Sequence, residues 1–309
     1  MAASIIQQVK RVYKVEGVRG VWKRGLRKIR LALLRATHPR GLILRKVGES
    51  LMWLDLYDRG ISIELLETRA HEPEVTKLLS EELEEGMNVI DIGANIGYYV
   101  LLEAKRVGPE GKVYAIEPVP RTFDTLTLNI QVNGLSNVEC FPVAIAEQTG
   151  FVEMNVTVSS NWSHVVSGDV ERMKTEGFRK FFAGAVERRI KVPALTLDEF
   201  VERAGVERVN FIRMDIEGYE VKVVDGMWRI LSDPRNRPLK LCWELHVGMF
   251  ENPEPLFAPL LKRLFDLGFL PGWVRTFEGG VLRDLSPEEF LRVILSRPFR
   301  LYHILLVKE

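Results

Sequence analysis

Apolar and polar positions follow two alternating rhythms through the middle of the chain. Short apolar runs typical of buried strands occupy residues 87–92, 112–117 and 138–142. Between them, residues 96–106 and 120–133 place apolar side chains every three or four positions, which is typical of helices. This succession predicts a mostly parallel sheet with helices on both faces. Further strands are expected at 209–215, 239–245 and Phe299–Val307.

The flanking segments carry shorter patterns. Alternation of apolar and polar residues over 51–66 predicts a hairpin, and residues 74–85 predict an acidic helix that ends at Gly86. Capping boxes at Thr196–Glu199 and Ser286–Glu289 predict the starts of two further helices.

Residues 158–188 break the alternation of strands and helices. They contain Trp162 and a helix-like piece with Phe178, Phe181 and Phe182. Long segments between sheet elements tend to be functional, so we expect this insertion to cover the substrate site. The alternative is a surface decoration with no part in the site.

The turn after the first strand of the series contains the strongest candidate chemistry. The strand ends near Asp91, and the chain then passes through Gly93 and Gly97 before the next helix begins. Twenty-six residues after Asp91, the next strand ends at Glu117, where a carboxylate can accept hydrogen bonds from ribose hydroxyls. Ligands of open α/β sheets bind at the carboxyl ends of strands. The pattern therefore predicts a cofactor of the nucleoside type.

The spacing of the glycines favours S-adenosylmethionine over NAD. A dinucleotide site requires G-x-G-x-x-G, but the three positions here are Gly93, Asn95 and Tyr98. S-adenosylmethionine has no phosphate and needs oxygen acceptors near its amine, which Asp91, Asn95 and Glu117 supply. A tight turn with a buried capping Asp91 and no ligand is the alternative.

Over residues 70–245 the chain resembles the FkbM family of class I S-adenosylmethionine-dependent methyltransferases. Four segments carry this resemblance: His71-Glu72-Pro73-Glu74, where the family has Tyr-Glu-Pro-Glu; Asp91–Tyr99; Ala115–Pro118 with the following Asn129 and Asn133; and Thr196–Phe200 with Phe211–Glu220. The resemblance implies a Rossmann-like fold and O-methylation of a hydroxyl on a saccharide, glycolipid or secondary metabolite.

The resemblance also implies which residues hold the cofactor. Glu117 would bind the ribose, and Val143 and Ala144 would flank the adenine, as the general layout of the fold suggests. The residues expected around the methionine portion are Asp91, Gly93, Asn95, Gly97 and, near its amino group, Asp215.

Candidate proton acceptors follow two later strands. His246 is the first candidate for general base because the ordinary pKa of histidine, about 6.5, suits work near neutral pH. Glu244, two residues earlier, would orient its ring, and Asp215 is the second candidate. The alternatives are a structural hydrogen bond for His246 and a helix-capping role for Asp215.

Other classes of site are less favoured by the sequence. The carboxylates and His246 could hold Mg²⁺, but their spacing matches no recognisable metal motif, so no metal is expected. Residues 214–217 do not match the [Asn/Asp]-Pro-Pro-[Tyr/Phe] motif of enzymes that methylate exocyclic amines, and the chain has no Pro-Cys dipeptide. An RNA methyltransferase and a non-catalytic binding protein with this fold remain alternatives.

Composition indicates a folded protein with an uneven distribution of charge. The 309 residues are 46% hydrophobic and 28% charged, which suits a sizeable core. Cys140 and Cys242 lie in apolar runs and are expected to be reduced, which favours a cytosolic location; a disulfide between them is the alternative. No apolar run approaches the roughly 18 residues of a membrane span, and no apolar stretch marks a secretory signal.

Residues 1–46 are strongly basic and amphipathic. They contain thirteen Lys or Arg and one acid, Glu16, a charge of +12 that leaves −11 for the rest of a +1 chain. Such a segment can lie on an anionic membrane, contact nucleic acid, act as a targeting peptide or pack on its own acidic body. We therefore expect a basic helical extension over 1–50 and a methyltransferase domain over 51–309, with the insertion at 158–188.

Overall fold

The computed structural model describes residues 22, 25–276, 279–296 and 301–309. Its helices are α1 (25–37), α2 (Ile61–Thr68), α3 (Pro73–Glu82), α4 (Tyr98–Val107), α5 (Pro120–Val132), α6 (Gly168–Met173), α7 (Glu176–Ala183), α8 (Leu197–Arg203), α9 (Glu220–Val224), α10 (Trp228–Ser232), α11 (Glu254–Asp266) and α12 (Pro287–Leu295). Among the described residues, no helix combines the length and apolar character needed to cross a bilayer.

The strands form one large sheet, one small sheet and a hairpin. They are β1 (Leu42–Val47), β2 (Ser50–Asp55), β3 (Asn88–Ile92), β4 (Lys112–Ile116), β5 (Val138–Phe141), β6 (Ala144–Ile145), β7 (Gly150–Thr157), β8 (His164–Val166), β9 (Val186–Leu195), β10 (Phe211–Met214), β11 (Leu239–Leu245), β12 (Leu270–Thr276), β13 (Val281–Arg283) and β14 (Tyr302–Lys308).

The large sheet has the order β13-β12-β14-β11-β10-β3-β4-β5. Strands β11, β10, β3, β4 and β5 are mutually parallel, whereas β14 is antiparallel to its neighbours β11 and β12. The predicted α/β class with a mostly parallel sheet is confirmed. Strands β10 and β3 are neighbours within its parallel part, so their carboxyl ends meet at one edge.

Side chains of the central strands alternate between two apolar layers. Ile90, Ile92 and Met214 belong to one core cluster, while Val89 and Phe211 belong to the other. Because successive strand residues point to opposite faces, the period of two assigns every residue of β3 and β10 to a layer.

A second sheet of order β6-β9-β7-β8 stands beside the large one. Its long strands β7 and β9 are antiparallel. The predicted insertion begins after β7 and contains β8, α6 and α7, so part of it is built into this small sheet.

The predicted hairpin over 51–66 is wrong. The observed hairpin joins β1 and β2, and residues from Ile61 onward form α2. The carboxylate of Asp58 accepts hydrogen bonds from the backbone N–H groups of Gly60 and Ser62, which starts a helix where a turn was expected.

Helix ends agree with the sequence at the capping boxes and less well elsewhere. Ser286 and Glu289 form the complete capping box, and the Thr196 side chain accepts from the N–H of Glu199. Helix α3 ends at Glu82, before the predicted Gly86. Of the predicted final strand, Phe299 and Arg300 lie outside the described residues.

The hairpin β1–β2 crosses the predicted domain boundary at residue 50. Asn133 exchanges two hydrogen bonds with the backbone of Leu51, and Asn129 does so with Trp53. These asparagines, Asn129 on α5 and Asn133 just after it, fasten the hairpin to the body of the fold. Residues 42–50 therefore belong to the same folded unit as β2.

Candidate functional site

The glycine turn between β3 and α4 is pressed against the turn that follows β10. Gly93 has a φ of +86°, and a Cβ built there would lie 2.0 Å from the backbone oxygen of Asp215. A side chain at Gly97, where φ is +87°, would lie 2.7 Å from Leu126. The backbone contact at Gly93 and the positive φ at both positions favour glycine. Gly93 also lines a cleft, and Gly97 does not.

Glu117 follows the neighbouring strand β4 directly and is hydrogen bonded to this turn. Its carboxylate accepts hydrogen bonds from the backbone N–H groups of Asn95, at 3.0 Å, and Val119, at 2.8 Å. The residue is 6% exposed. Burial raises the pKa of Glu117 to about 7, and the two N–H donors offset only part of that effect.

A cleft of about 620 Å³, here called the turn cleft, opens beside Glu117. Apolar side chains form one part of its wall and oxygen atoms another. Of the residues predicted to hold a cofactor, it is lined by Gly93, Asn95, Glu117, Val143, Ala144 and Asp215.

Asp91 lies beneath the turn cleft, in the protein interior. It is fully buried, and its Oδ1 accepts from Nη1 of Arg213 at 2.9 Å. The parallel register of β3 and β10 pairs these two residues directly. Arg213 also bonds Asp215, at 3.0 Å, and its guanidinium lies 4.1 Å from the centre of the Tyr99 ring. Asp91 is therefore joined to the site through Arg213.

Arg213 was missed by the sequence prediction. It is a single cation within the apolar run of β10, and only 8% of it is exposed. A buried cation almost always has a charged partner, so this isolated arginine was the available signal.

A second cleft, here called the carboxylate cleft, adjoins the first. Its volume is about 1,050 Å³, and four acidic residues line it: Glu72, Asp215, Glu217 and Glu244. Three aromatic residues of the insertion also line it, Trp162, Phe181 and Phe182. Asp215, Glu217 and Asn161 line both clefts.

The backbone at this junction adopts conformations that side chains rarely take. Glu72, Asn95 and Glu217 have φ angles of 40°, 50° and 56°. Such left-handed conformations in residues other than glycine cost about 1–3 kcal/mol each and cluster at functional sites.

His246 lies in the carboxylate cleft as a doubly paired cation. Nδ1 is 2.7 Å from Oε1 of Glu220, and Nε2 is 3.3 Å from Oε2 of Glu217. Burial alone would lower the pKa of His246, but these two carboxylates raise it well above the ordinary value of 6.5. Both nitrogens of His246, the first candidate for general base, are therefore engaged with carboxylates.

Asp215 and Glu244 lie together and have different protonation tendencies. Their oxygen atoms lie within 4.8 Å of each other. Burial and the nearby charge of Asp215 raise the pKa of Glu244 well above its ordinary value. Burial also acts to raise the pKa of Asp215, but the charge of Arg213 outweighs it and lowers this pKa. These directions favour a neutral Glu244 beside an ionised Asp215.

Two groups of residues in this region have ligand atoms close enough to hold a metal ion. They are Glu72, Glu244 and His303, and Asp215, Glu244 and His246. In each group the ligand atoms lie within 4.8 Å of one another. The His246 nitrogens already contact two glutamates, so a metal would have to displace one of them.

Cys140 and Cys242 are free thiols, as the sequence predicted. Burial raises the pKa of Cys242 to about 12 and that of Cys140 to about 11. Neither residue lines the two clefts.

Comparison with known proteins identifies the family. Residues 91–271, more than half of the chain, match the family described as the methyltransferase FkbM domain. The hexuronic acid methyltransferase AglP of Haloferax volcanii is 29% identical over 179 residues, 58% of this chain and 64% of AglP. The 2-O-methyltransferase NoeI of Sinorhizobium fredii is 25% identical over 154 residues, 48% of this chain and 60% of NoeI.

The match spans less than two thirds of the length of these two relatives. Among solved structures, a SAM-dependent methyltransferase from Aquifex aeolicus aligns with a TM-score of 0.38 and 18% identity, covering 77% of this chain and 90% of that one. On the strength of the family match, this chain belongs to the FkbM family of S-adenosylmethionine-dependent methyltransferases.

Proposed function

We propose that the chain transfers the methyl group of S-adenosylmethionine to a hydroxyl of a saccharide or glycolipid, or of a secondary metabolite. The observation that carries this proposal is the position of Asp215. Its carboxylate lines the turn cleft, where the cofactor is expected, and the carboxylate cleft, where an acceptor would fit. One ionised oxygen acceptor therefore borders both reactants.

The turn cleft has the chemistry that the cofactor requires. Val143 and Ala144 offer an apolar surface for an adenine. Glu117 has two of its roughly four acceptor positions occupied by backbone N–H groups, which leaves capacity for ribose hydroxyls. Gly93, Asn95 and Asp215 line the part assigned to the methionine. When bound, the cofactor supplies an activated methyl group whose leaving group departs neutral.

The protein must then orient the acceptor and take up a proton. Asp215 accepts the hydrogen bond of the acceptor hydroxyl and takes its proton as the new bond forms. Arg213 holds this carboxylate ionised, and a neutral Glu244 lies beside it. His246 acts as a positioning residue that fixes Glu217 and Glu220 through its two nitrogens.

Aromatic side chains in the carboxylate cleft support a saccharide acceptor. Trp162 and Phe181 from the insertion line the same cleft as the carboxylates. A sugar ring offers apolar C–H faces to aromatic rings and hydroxyls to carboxylates. The relative AglP is named as a hexuronic acid methyltransferase, which agrees with this class of acceptor, and NoeI is named as an O-methyltransferase. In this proposal the insertion covers the acceptor.

The proposal also includes an anionic membrane as a partner, bound by the basic segment at residues 1–46. Its charge of +12 suits peripheral association with an anionic membrane, where a glycolipid acceptor would be presented.

Calorimetry followed by methyl transfer tests the proposal. S-adenosylmethionine and NAD are titrated separately into the wild type, Glu117→Ala and the matched surface control Glu110→Ala. We expect only S-adenosylmethionine to bind, and only Glu117→Ala to lose it. Radiolabelled methyl groups from S-adenosylmethionine should then appear on sugar hydroxyls in a panel of glycosides and glycolipids. A wild type that binds NAD but not S-adenosylmethionine would contradict the proposal.

A further inference from the structure

Helix α1 turns a stripe of apolar side chains toward solvent. Leu26, Ile29 and Leu33 are 59%, 60% and 63% exposed, and Trp22 is 67% exposed. These four positions are separated by four, three and four residues, which places them on one side of a helix. Among the described residues, this is the longest such series of exposed large apolar side chains.

The opposite side of α1 holds the helix to the body. Leu31 and Leu34 pack against the core cluster that contains the β1–β2 hairpin. Arg35 donates to the backbone oxygen of Leu56 at 2.7 Å, and Arg27 pairs with Glu67 at 2.5 Å. These contacts fix the rotation of the helix, and that rotation leaves the apolar stripe outward.

Cations surround the stripe. Residues 25–46 contain seven Lys or Arg and no acid. Arg30 lies beside the stripe on α1 and is exposed, as are Lys28 further around the helix and Arg40 just after it. An apolar stripe bordered by cations is the pattern of helices that lie in the interface of an anionic bilayer, where side chains enter the acyl boundary and cations meet phosphates.

We infer that the outward stripe of α1, formed by Leu26, Ile29 and Leu33, together with Trp22 ahead of the helix, docks the protein on an anionic lipid bilayer. A bilayer satisfies the cations and the apolar side chains together. A nucleic acid would neutralise the cations but leave the stripe in water. A second copy of the chain packed stripe to stripe would bring two basic flanks together.

The docking surface adjoins the acceptor site. Leu66, Glu67 and Thr68 at the end of α2 form a groove with α1. His71, which lines the carboxylate cleft, follows Thr68 by three residues, a reach of at most about 11 Å. If the proposed function holds, docking through α1 keeps the acceptor cleft close to the lipid surface, where the hydroxyl of a glycolipid would be available.

Vesicle binding by the full chain tests the inference. Co-sedimentation is measured with vesicles of phosphatidylcholine alone and mixed with phosphatidylglycerol, at low and high salt. The test variant is Leu26→Ser/Ile29→Ser/Leu33→Ser. The matched control is Phe151→Ser/Leu270→Ser, because these residues are 66% and 59% exposed outside the basic segment. Circular dichroism checks that both variants fold.

We expect the wild type and the control to bind anionic vesicles, more weakly at high salt, and the triple variant to bind at least about tenfold less. Trp22 fluorescence should shift to the blue on binding. Equal vesicle binding by the triple variant, or none by the wild type, would overturn the inference. A dimer that the triple variant abolishes, with no vesicle binding, would assign the stripe to a second copy, and salt-sensitive RNA binding without vesicle binding would assign the segment to nucleic acid.

Binding of S-adenosylmethionine separates this inference from the proposed function. The triple variant should retain wild-type affinity in calorimetry, since none of the three residues lines the turn cleft. If the triple variant no longer binds vesicles but still binds S-adenosylmethionine, the result supports the docking surface and leaves the proposed function untouched. If the wild type does not bind S-adenosylmethionine, the result counts against the proposed function and leaves the docking surface untouched.

Discussion

The guanidinium of Arg213 lies 2.9 Å from the carboxylate of Asp91, and the two residues are direct partners in neighbouring parallel strands. Both are buried beneath the glycine turn. Because Arg213 also bonds Asp215, one cation fixes the turn that lines the cofactor cleft and the carboxylate that borders both clefts.

Replacing Arg213 should therefore destabilise the fold as well as the site. Arg213→Met leaves the Asp91 carboxylate buried without its cation, and we expect a loss of about 3–5 kcal/mol in the free energy of unfolding. Urea denaturation measures this. The control is Arg235→Met, which breaks the exposed pair with Asp233 and should cost about 1 kcal/mol or less. Equal losses in the two variants would show that the buried pair has no special role.

Asp215→Asn should reduce turnover far more than cofactor affinity. The amide keeps the shape of the side chain but cannot take up a proton, so kcat should fall by about 10²–10⁴-fold. The dissociation constant for S-adenosylmethionine should change much less. Single-turnover methyl transfer and calorimetry separate the two effects, and Asp225→Asn, at an exposed position, is the control. If His246→Gln lost turnover while Asp215→Asn kept it, the role of proton acceptor would move to His246.

His246 should make stability depend on alkaline pH. Its folded pKa is raised well above 6.5, so its pairing with Glu220 and Glu217 contributes fully below pH 6.5. That contribution is lost as the pH rises through the folded pKa. We expect the wild type to lose more stability than His246→Gln between about pH 7 and pH 10. Tm measured across this range tests the difference, with His38→Gln as the control. Parallel curves for the wild type and His246→Gln would contradict it.

Cofactor binding should release a proton near neutral pH. Burial holds the pKa of Glu117 at about 7, and hydrogen bonds from ribose hydroxyls favour the ionised carboxylate. Binding therefore lowers this pKa, and affinity should increase as the pH rises through about 7. Calorimetry in two buffers of different ionisation enthalpy counts the protons. Glu117→Gln should bind without this pH dependence. Proton uptake on binding to the wild type would refute the assigned contact.

Gly93→Ala should damage the site through a steric clash. The added Cβ would lie 2.0 Å from the backbone oxygen of Asp215, at a φ of +86°. Gly86→Ala is the matched control, because its φ is +82° but no atom lies within 4 Å. The control should lose about 1–2 kcal/mol from its left-handed backbone, and Gly93→Ala should lose more and also reduce kcat. Equal losses of unfolding free energy in the two variants would contradict this prediction. They would mean that the turn containing Asp215 moves away from the added Cβ at no measurable cost.

The sequence by itself determined the sheet and the residues at its edge. The apolar runs of β3, β4, β10 and β11 have the length and composition of buried strands, and these properties are local. Parallel strands with their carboxyl ends at one edge then bring Gly93, Glu117 and Asp215 to one place, as expected from the order of the segments. Residues 61–66 were assigned wrongly because a short apolar alternation fits a strand and a buried helix equally well.

Only the tertiary structure decided the electrostatics of the site. The register of β3 and β10 placed Arg213 beside Asp91, and spacing along the chain does not specify a register. The charge of His246 likewise depends on Glu220 and Glu217, which are 26 and 29 positions earlier in the chain. These glutamates follow β10, whereas His246 follows β11. A pKa depends on burial and on the distance to other charges, and these quantities exist only once the chain is folded.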